Sequence, residues 1–104
     1  MPQEYSENES GTGFENEIEI ELPPECEVIF YNDNYTTMEF VTEVLMEVFE
    51  KSEPEADALM LDIHNNGSAV VGVYTYDIAV TKAGITTSKA KKEGFPLRVE
   101  VKLQ

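Results

Sequence analysis

Three residues with acceptor side chains stand in a row at Asn32-Asp33-Asn34, and the chain has one histidine, His64. Amide and carboxylate oxygens accept hydrogen bonds, and a neutral imidazole nitrogen accepts one as well. Such a set suits a ligand that only donates, and the protonated α-amino group of a peptide, with three donors and one positive charge, is such a ligand. The alternative is that the row only forms a turn, because Asn and Asp favour such corners.

Apolar residues accompany both parts of this candidate site. Met38 and Val41 lie one helical turn apart after the acceptors, and Met60 and Ile63 precede His64. Methionine is unbranched and adapts its shape to large side chains. The combination predicts a pocket for a positive charge attached to a bulky apolar group, and a bulky peptide N-terminus is such a group. Ordinary core packing is the alternative, especially for Val41.

The sequence gives little support to catalysis or metal binding. It contains no nucleophile–base pair and no Gly-rich phosphate loop, which are the features that an enzyme site needs. No second histidine or cysteine lies near His64 to complete a metal site. We therefore expect a protein that is not an enzyme and that has neither a metal nor a cofactor. A small hydrolase that uses His64 and Asp33 is the weakest alternative.

The charge of the chain limits its partners. The formal net charge is −14 over 104 residues, a length that permits one domain. Nucleic acid and anionic membrane surfaces are excluded as partners, because both require positive charge. Lone Cys26 cannot form a disulfide within the chain, and no apolar run approaches the roughly 20 residues of a membrane span. We expect a cytoplasmic monomer.

The strands and helices that position the candidate site can be predicted from the spacing of apolar residues and from capping signals. Residues 1–24 contain seven Glu and no Lys or Arg, a composition that predicts a disordered acidic extension, and residues 25–104 form the folded domain. Thr36 with Glu39, and Ser52 with Glu55, have the spacing of helix capping boxes. The predicted strands are at about 27–32, 68–74 and 97–103, and the predicted helices are at about 37–51, from the cap at Ser52 to about 65, and at 76–93.

This order of elements, β-α-α-β-α-β, predicts an α+β fold. It is a two-layer sandwich in which three helices cover one face of a three-stranded antiparallel sheet. The crossover between the last two strands should be right-handed, and it leaves room for the first strand between them.

Two motifs connect these elements to a known family. NDNYTTMEFV at 32–41 and LMLDIHNNG at 59–67 resemble the ClpS adaptor family, whose pattern is close to NDDYTPMEFV followed by MLxVHxxG. The likeness runs from about Glu25 to Leu103. The resemblance implies an adaptor that binds N-degrons, which are substrates with bulky hydrophobic N-terminal residues. It also implies delivery to the N-terminal domain of a ClpA-like or ClpC-like AAA+ unfoldase, and a fold shared with the C-terminal domain of the ribosomal stalk protein.

The resemblance also implies a role for particular residues. The α-amino group of the ligand would be bound by Asn32, Asn34 and His64, with Asp33 as a further candidate. The hydrophobic pocket would be lined by Thr36, Met38, Val41, Met60, Ile63 and Leu97, with Met38 as a gate against β-branched side chains. The unfoldase would dock at Asp77 and Lys82.

Two positions depart from the family pattern. Asn34 stands where the family has Asp, and Thr37 stands where it has Pro. The first change removes a charge that would face the ammonium group, so we expect binding about tenfold weaker than with Asp. The second should matter little because both residues suit a helix start. The alternative function is an interaction domain of the same fold in which the N-degron pocket is weakened or altered.

Overall fold

The structure, a computed structural model, describes residues 21–104. Residues 1–20 of the predicted extension lie outside the described residues. The strands are β1 (Glu25–Tyr31), β2 (Ser68–Thr75) and β3 (Arg98–Leu103), and the helices are α1 (Met38–Glu47), α2 (Glu53–Asn66) and α3 (Tyr76–Glu93). The predicted α+β class and the order β-α-α-β-α-β are confirmed.

The sheet has the order β2-β1-β3, so β1 is its central strand. Both neighbours run antiparallel to β1, and Phe30 lies opposite Ala69 on one side and Val99 on the other. Along β1, the buried residues Cys26, Val28 and Phe30 alternate with half-buried ones. This period of two gives the sheet one buried face, which the helices cover, and one face that is partly open to solvent.

Aromatic rings fix the position of the helices on the sheet. Phe30 of β1 packs edge-to-face on Phe49 with ring centroids 5.4 Å apart, and Phe40 of α1 packs on Phe95 at 5.1 Å. Edge-to-face pairs contribute roughly 0.5–1.5 kcal/mol beyond the burial of their surface. The first contact holds the segment that follows α1 against β1, and the second holds α1 against the segment that precedes β3.

The N-terminus of α1 differs from its prediction. The cap is Thr37, whose Oγ1 accepts a hydrogen bond from the Phe40 N–H at 3.1 Å. The predicted cap, Thr36, donates its hydroxyl to Asp33 instead. The helix therefore begins one residue later than the motif predicts, because Asp33 holds Thr36 in the preceding loop.

The C-terminus of α1 also differs from its prediction. The helix ends at Glu47 rather than near Lys51, and Glu50 takes a positive φ of 57°. The Lys51 N–H donates to the Leu45 carbonyl at 3.0 Å. The apolar stripe continues to Phe49 because that residue is part of the core, even though its backbone is no longer helical.

The start and end of α2 are close to the prediction. The Ser52 capping box is complete: Glu55 accepts from the Ser52 N–H at 2.9 Å, and the Ser52 hydroxyl oxygen accepts from the Glu55 N–H at 3.3 Å. At the other end, Gly67 takes the left-handed conformation with φ 91°. Glycine adopts this conformation without a steric penalty. The chain therefore turns sharply from α2 into β2.

Candidate functional site

One backbone hydrogen bond brings the two halves of the predicted site together. The Asn32 N–H donates to the carbonyl oxygen of Gly67 at 2.9 Å. Asn32 is the first residue after β1, and Gly67 is the cap of α2, three residues after His64. The loop that carries the acceptors therefore lies against the end of the helix that carries the histidine. Residues that are more than 30 positions apart in the sequence become neighbours.

Asp33 organises this loop. One of its carboxylate oxygens accepts the N–H groups of Tyr35 at 2.8 Å and Thr36 at 2.7 Å, and the other accepts the Thr36 hydroxyl at 2.7 Å. Burial alone would raise the pKa of Asp33, but the hydrogen bonds from Thr36 and Tyr35 outweigh it and lower the pKa below its ordinary value. Asp33 is therefore ionised at neutral pH, and its oxygens are engaged within the loop.

A pocket of about 380 Å³ opens between this loop, α1 and α2. It is lined by Asn32, Asp33, Asn34, Tyr35, Thr36, Thr37, Met38, Val41, Met60, Ile63 and His64. The structure thus brings all the predicted ligand residues together except Leu97. Leu97, which directly precedes β3, is a buried member of the hydrophobic core and is not among the residues that line the pocket.

The pocket has an apolar floor and a polar rim. Val41 and Ile63 are buried members of the core that contribute the floor, whereas Asn32, Asn34 and His64 are exposed at the rim. Met38 also lines the pocket, and its side chain is 46% exposed. A ligand that matches this pocket carries hydrogen-bond donors next to an apolar side chain. Binding moves that side chain from water onto the apolar floor, which is favourable.

A second concave surface lies at the opposite end of α1. We call it the α1–α3 groove; it measures about 520 Å³ and is lined by Glu47, Val48, Asp77, Ile78, Thr81, Lys82, Ile85 and Lys89. It contains both predicted docking residues, Asp77 and Lys82. Sequence reasoning did not predict its apolar members: Ile78 is 48% exposed and Ile85 is 43% exposed. Their spacing of seven residues along α3 is the signal that could have identified them.

The chain matches the family described as "ATP-dependent Clp protease adaptor protein ClpS" over residues 21–100. The chain belongs to the ClpS family. The ClpS adapter protein of Nitratidesulfovibrio vulgaris is 46% identical over 90 residues, which cover 83% of this chain and 86% of that protein. The ClpS adapter protein of Helicobacter hepaticus is 48% identical over 90 residues, covering 85% and 91%. The family resemblance inferred from the two motifs is confirmed.

A solved structure agrees with both the fold and the family. The structure of Agrobacterium tumefaciens ClpS2 bound to L-phenylalaninamide aligns with a TM-score of 0.77 and 43% sequence identity, over 80% of this chain and all of that one. The ClpS family consists of adaptors of a protease rather than proteases. Within residues 21–104, no three His, Cys, Asp or Glu side chains are grouped so that they could hold a metal ion. No helix in the same range is long and apolar enough to span a membrane.

Lys82 lines the α1–α3 groove, and its side chain also contacts the end of α1. Its ammonium group donates to the Val48 carbonyl at 2.6 Å, and it lies 5.3 Å from the ring centroid of Tyr74 and 5.8 Å from that of Phe49. Val48 is the C-terminal cap of α1. A cation at this position satisfies a carbonyl that the helix leaves free, and it complements the negative end of the helix dipole.

We expect Lys82→Met to lower the free energy of unfolding by about 1.5–3 kcal/mol, the usual contribution of a hydrogen bond to a charged group. Methionine keeps most of the aliphatic stem but cannot donate to the Val48 carbonyl. Urea denaturation measures the loss. The control is Lys91→Met, the same change at an exposed position of α3, which should leave the midpoint unchanged. Equal midpoints for both variants and the wild type would show that the contact does not stabilise the fold.

Proposed function

We propose that this ClpS-family chain is an N-degron adaptor. It binds the free N-terminus of proteins that begin with Phe, Leu, Tyr or Trp, and it delivers them to a Clp AAA+ unfoldase. The observation that supports the proposal is that three exposed acceptors and an apolar floor belong to the same pocket. L-phenylalaninamide, the molecule bound by Agrobacterium tumefaciens ClpS2, has a free α-amino group beside a benzyl side chain. Its polarity matches that of this pocket.

In this proposal the rim binds the charge and the floor binds the side chain. The side chains of Asn32, Asn34 and His64 accept hydrogen bonds from the ligand's ammonium group. The floor and walls are Thr36, Met38, Val41, Met60 and Ile63. Asp33 keeps the loop in shape and contributes its negative charge at a distance. None of these residues has a catalytic role.

The expected affinity follows from these two contributions. Burial of a large apolar side chain contributes roughly 1.5–3 kcal/mol, and each hydrogen bond to the charged ammonium contributes about as much. Association costs several kcal/mol in lost rotational and translational freedom. The balance corresponds to a dissociation constant on the order of micromolar.

Titration with a pair of peptides tests the proposal. One peptide begins Phe-Ala and the other begins Ala-Phe, with the same residues thereafter, so that composition and net charge are equal. We expect the first to bind with about micromolar affinity and the second to bind at least tenfold more weakly, since its ammonium and ring are separated by an extra residue. Equal affinities would exclude the pocket as an N-terminus site and would favour an interaction domain of altered function.

We expect Asn34→Asp to tighten binding of the Phe-Ala peptide by about tenfold. The substitution places a negative charge beside the ammonium group, and the added Coulomb attraction between two unit charges is about 1 kcal/mol or more at about 4 Å. Calorimetry measures the gain, and Asn65→Asp, an exposed position in the last turn of α2, controls for added negative charge. An unchanged affinity in Asn34→Asp would indicate that residue 34 does not face the amine.

We propose the α1–α3 groove as the surface that docks on the N-terminal domain of a ClpA-like or ClpC-like unfoldase. Ile78 and Ile85 supply exposed apolar area, and Glu47, Asp77 and Lys89 supply a charged rim. The substrate pocket uses the start of α1, whereas the groove uses its end, about 15 Å away at 1.5 Å per residue. A monomer could therefore hold a substrate and an unfoldase at the same time.

Because the family serves an ATP-dependent protease, we place this function in the cytoplasm.

A further inference from the structure

The strand β3 lies at one edge of the sheet. Among the described residues, β1 pairs with one side of β3 and no strand pairs with the other. The Gln104 N–H donates to the Glu25 carbonyl at 3.0 Å, and hydrogen-bonded pairs alternate along an antiparallel ladder. The backbone groups of the even-numbered residues of β3 therefore face β1. Those that face outward belong to Val99, Val101 and Leu103, and such an edge is a template for a further strand.

A groove runs along this edge, between β3 and α3. We call it the α3–β3 groove; it measures about 480 Å³, and its lining includes Val80, Ala83, Gly84, Thr87 and Lys91 of α3 and Val101 of β3. Most of these side chains are small, so a strand added to β3 can approach the helix closely. Val80 is 42% exposed, and Leu103 at the end of β3 is 66% exposed. The groove therefore places an apolar surface next to unpaired backbone groups.

A segment of the predicted acidic extension has the alternation that such an edge requires. Residues 14–20, which lie outside the described residues, read Phe-Glu-Asn-Glu-Ile-Glu-Ile. Successive side chains of a strand point to opposite faces. In a strand, Phe14, Ile18 and Ile20 would share one face, and the three glutamates at the odd positions would share the other.

We propose that residues 14–20 bind in the α3–β3 groove as a fourth strand of the sheet, parallel to β3. The apolar face of the segment packs on α3, where Val80 and Val101 are its partners and Gly84 leaves room for Ile18. The backbone of the segment pairs with the outward groups of β3, which is the β-augmentation mode of peptide binding. This inference does not depend on the proposed function.

Charge supports this placement of the segment. Its glutamates would lie on the face of the sheet that the helices leave open, next to the side chains of β3 that point the same way. Two of these three side chains are exposed cations, Arg98 and Lys102. The third, Glu100, is half-buried and accepts a hydrogen bond from the Tyr31 hydroxyl. Opposite charges on neighbouring strands are favourable.

The connection to β1 has a suitable length and direction. Because Gln104 bonds to Glu25, β1 begins at the end of the sheet where β3 finishes, so a segment parallel to β3 ends there too. The chain from residue 20 to residue 25 spans up to about 16 Å, whereas two strand spacings measure about 10 Å. Leu22, which is 82% exposed, lies in this connector. A short connector also gives the segment a high effective concentration at the groove.

Docking of the segment has two consequences. It closes the edge of the sheet to strands of other chains. It also leaves the α1–α3 groove open, because Ile78 and Ile85 line that groove whereas Val80 and Gly84 line the α3–β3 groove. The two grooves lie on different sides of α3, so a partner can bind the first while the segment occupies the second.

Amide hydrogen exchange of the full chain, followed residue by residue by NMR, tests the docking. We expect the outward amides of Val99 and Val101 to exchange about tenfold or more slowly in the wild type than in the double variant Ile18→Asp/Ile20→Asp, because only docking pairs them. The Glu100 amide, which faces β1, should exchange at the same rate in both proteins. That amide controls for a change in global stability.

Two further variants distinguish the groove from the connector. A Cβ at Gly84 meets no atom within 4 Å, and Gln favours a helix over Gly, so the domain accepts Gly84→Gln. The longer side chain fills the groove, and the protection of Val101 should fall as it does in the double variant. Leu22→Asp makes the same kind of change in the connector, and it should leave the protection unchanged.

Three results would overturn the proposal. The first is equal exchange of Val99 and Val101 in the wild type and the double variant. The second is protection that persists in Gly84→Gln, since the segment would then lie outside the groove. The third is protection that disappears when the wild type is diluted, because pairing with a second copy depends on concentration whereas docking within one chain does not.

Discussion

Acetylation of the peptide N-terminus is expected to abolish binding to this ClpS-family chain. The acetyl group removes the positive charge and leaves one N–H donor in place of three. Asn32, Asn34 and His64 would then face a neutral amide with a bulky methyl and a carbonyl oxygen, while the apolar floor would still be available. Loss of two hydrogen bonds to a charged group corresponds to about 3 kcal/mol or more, which is a loss of at least a hundredfold in affinity.

The measurement compares a Phe-Ala peptide with its N-acetylated form by fluorescence anisotropy. The matched control carries its acetyl group on a lysine side chain near the C-terminus of the peptide. That modification also removes one charge, but far from the pocket, so it should change the affinity by less than twofold. If the N-acetylated peptide bound within threefold of the free one, the three rim residues would not be the ammonium site.

The fold could be predicted from the sequence because its elements have unambiguous periods. In β3, Val99 and Val101 alternate with the charged residues Arg98, Glu100 and Lys102, which predicts a strand with one buried face. Capping signals at Ser52 and Gly67 fix the two ends of α2. The central position of β1 followed from the handedness of the crossover. These signals are local or topological, so they do not depend on the details of packing.

The end of α1 could not be predicted in the same way. Phe49 continues the apolar stripe, but the helix has already ended at Glu47. The ammonium group of Lys82 satisfies the Val48 carbonyl from 34 residues away. Helix periodicity records which side chains are buried, and it contains no information about a distant cation that stabilises the last carbonyls. Lys82 was predicted as a docking residue, and its sequence position alone cannot distinguish that role from capping.

The two motifs of the candidate site could be predicted from the sequence, but the contact that brings them together could not. The hydrogen bond between Asn32 and Gly67 joins them, and it is a contact between backbone atoms that any residue other than proline could make at position 32. The competition between Thr36 and Thr37 for the cap of α1 is a further example. Both have the right side chain, and the outcome depends on Asp33, which takes the hydroxyl of Thr36.

Asp33→Ala is expected to weaken binding of a Phe-Ala peptide by about ten- to hundredfold, although Asp33 need not touch the ligand. The substitution removes the acceptor of three hydrogen bonds, from the N–H of Tyr35 and from the N–H and hydroxyl of Thr36. At roughly 0.5–1.5 kcal/mol each, their loss allows the loop to leave the conformation in which Asn32 and Asn34 converge. These bonds also contribute to the stability of the folded state, so the melting temperature of the variant should fall by several degrees while the domain stays folded at the temperature of the binding assay.

Asp33→Asn and Asp57→Ala provide the controls. Asn keeps one side-chain oxygen for the two N–H groups, so its affinity should lie between those of the wild type and Asp33→Ala. Asp57 is exposed on α2, and its removal deletes the same charge without touching the loop. A result in which Asp57→Ala weakens binding as much as Asp33→Ala would mean that net charge, rather than loop geometry, determines the affinity.

The lowered pKa of Asp33 also predicts how the affinity difference between the wild type and Asp33→Ala depends on pH. Because its folded-state pKa lies below the ordinary value of 3.8, the hydrogen bonds to its ionised form contribute fully above that value, and they are lost as the pH falls through the folded-state pKa. The affinity difference between the wild type and Asp33→Ala should therefore stay constant from neutral pH down to about pH 4. A difference that disappears between pH 7 and 5 would contradict this, because the Asp33 carboxylate remains ionised throughout that interval and the loop it holds stays intact.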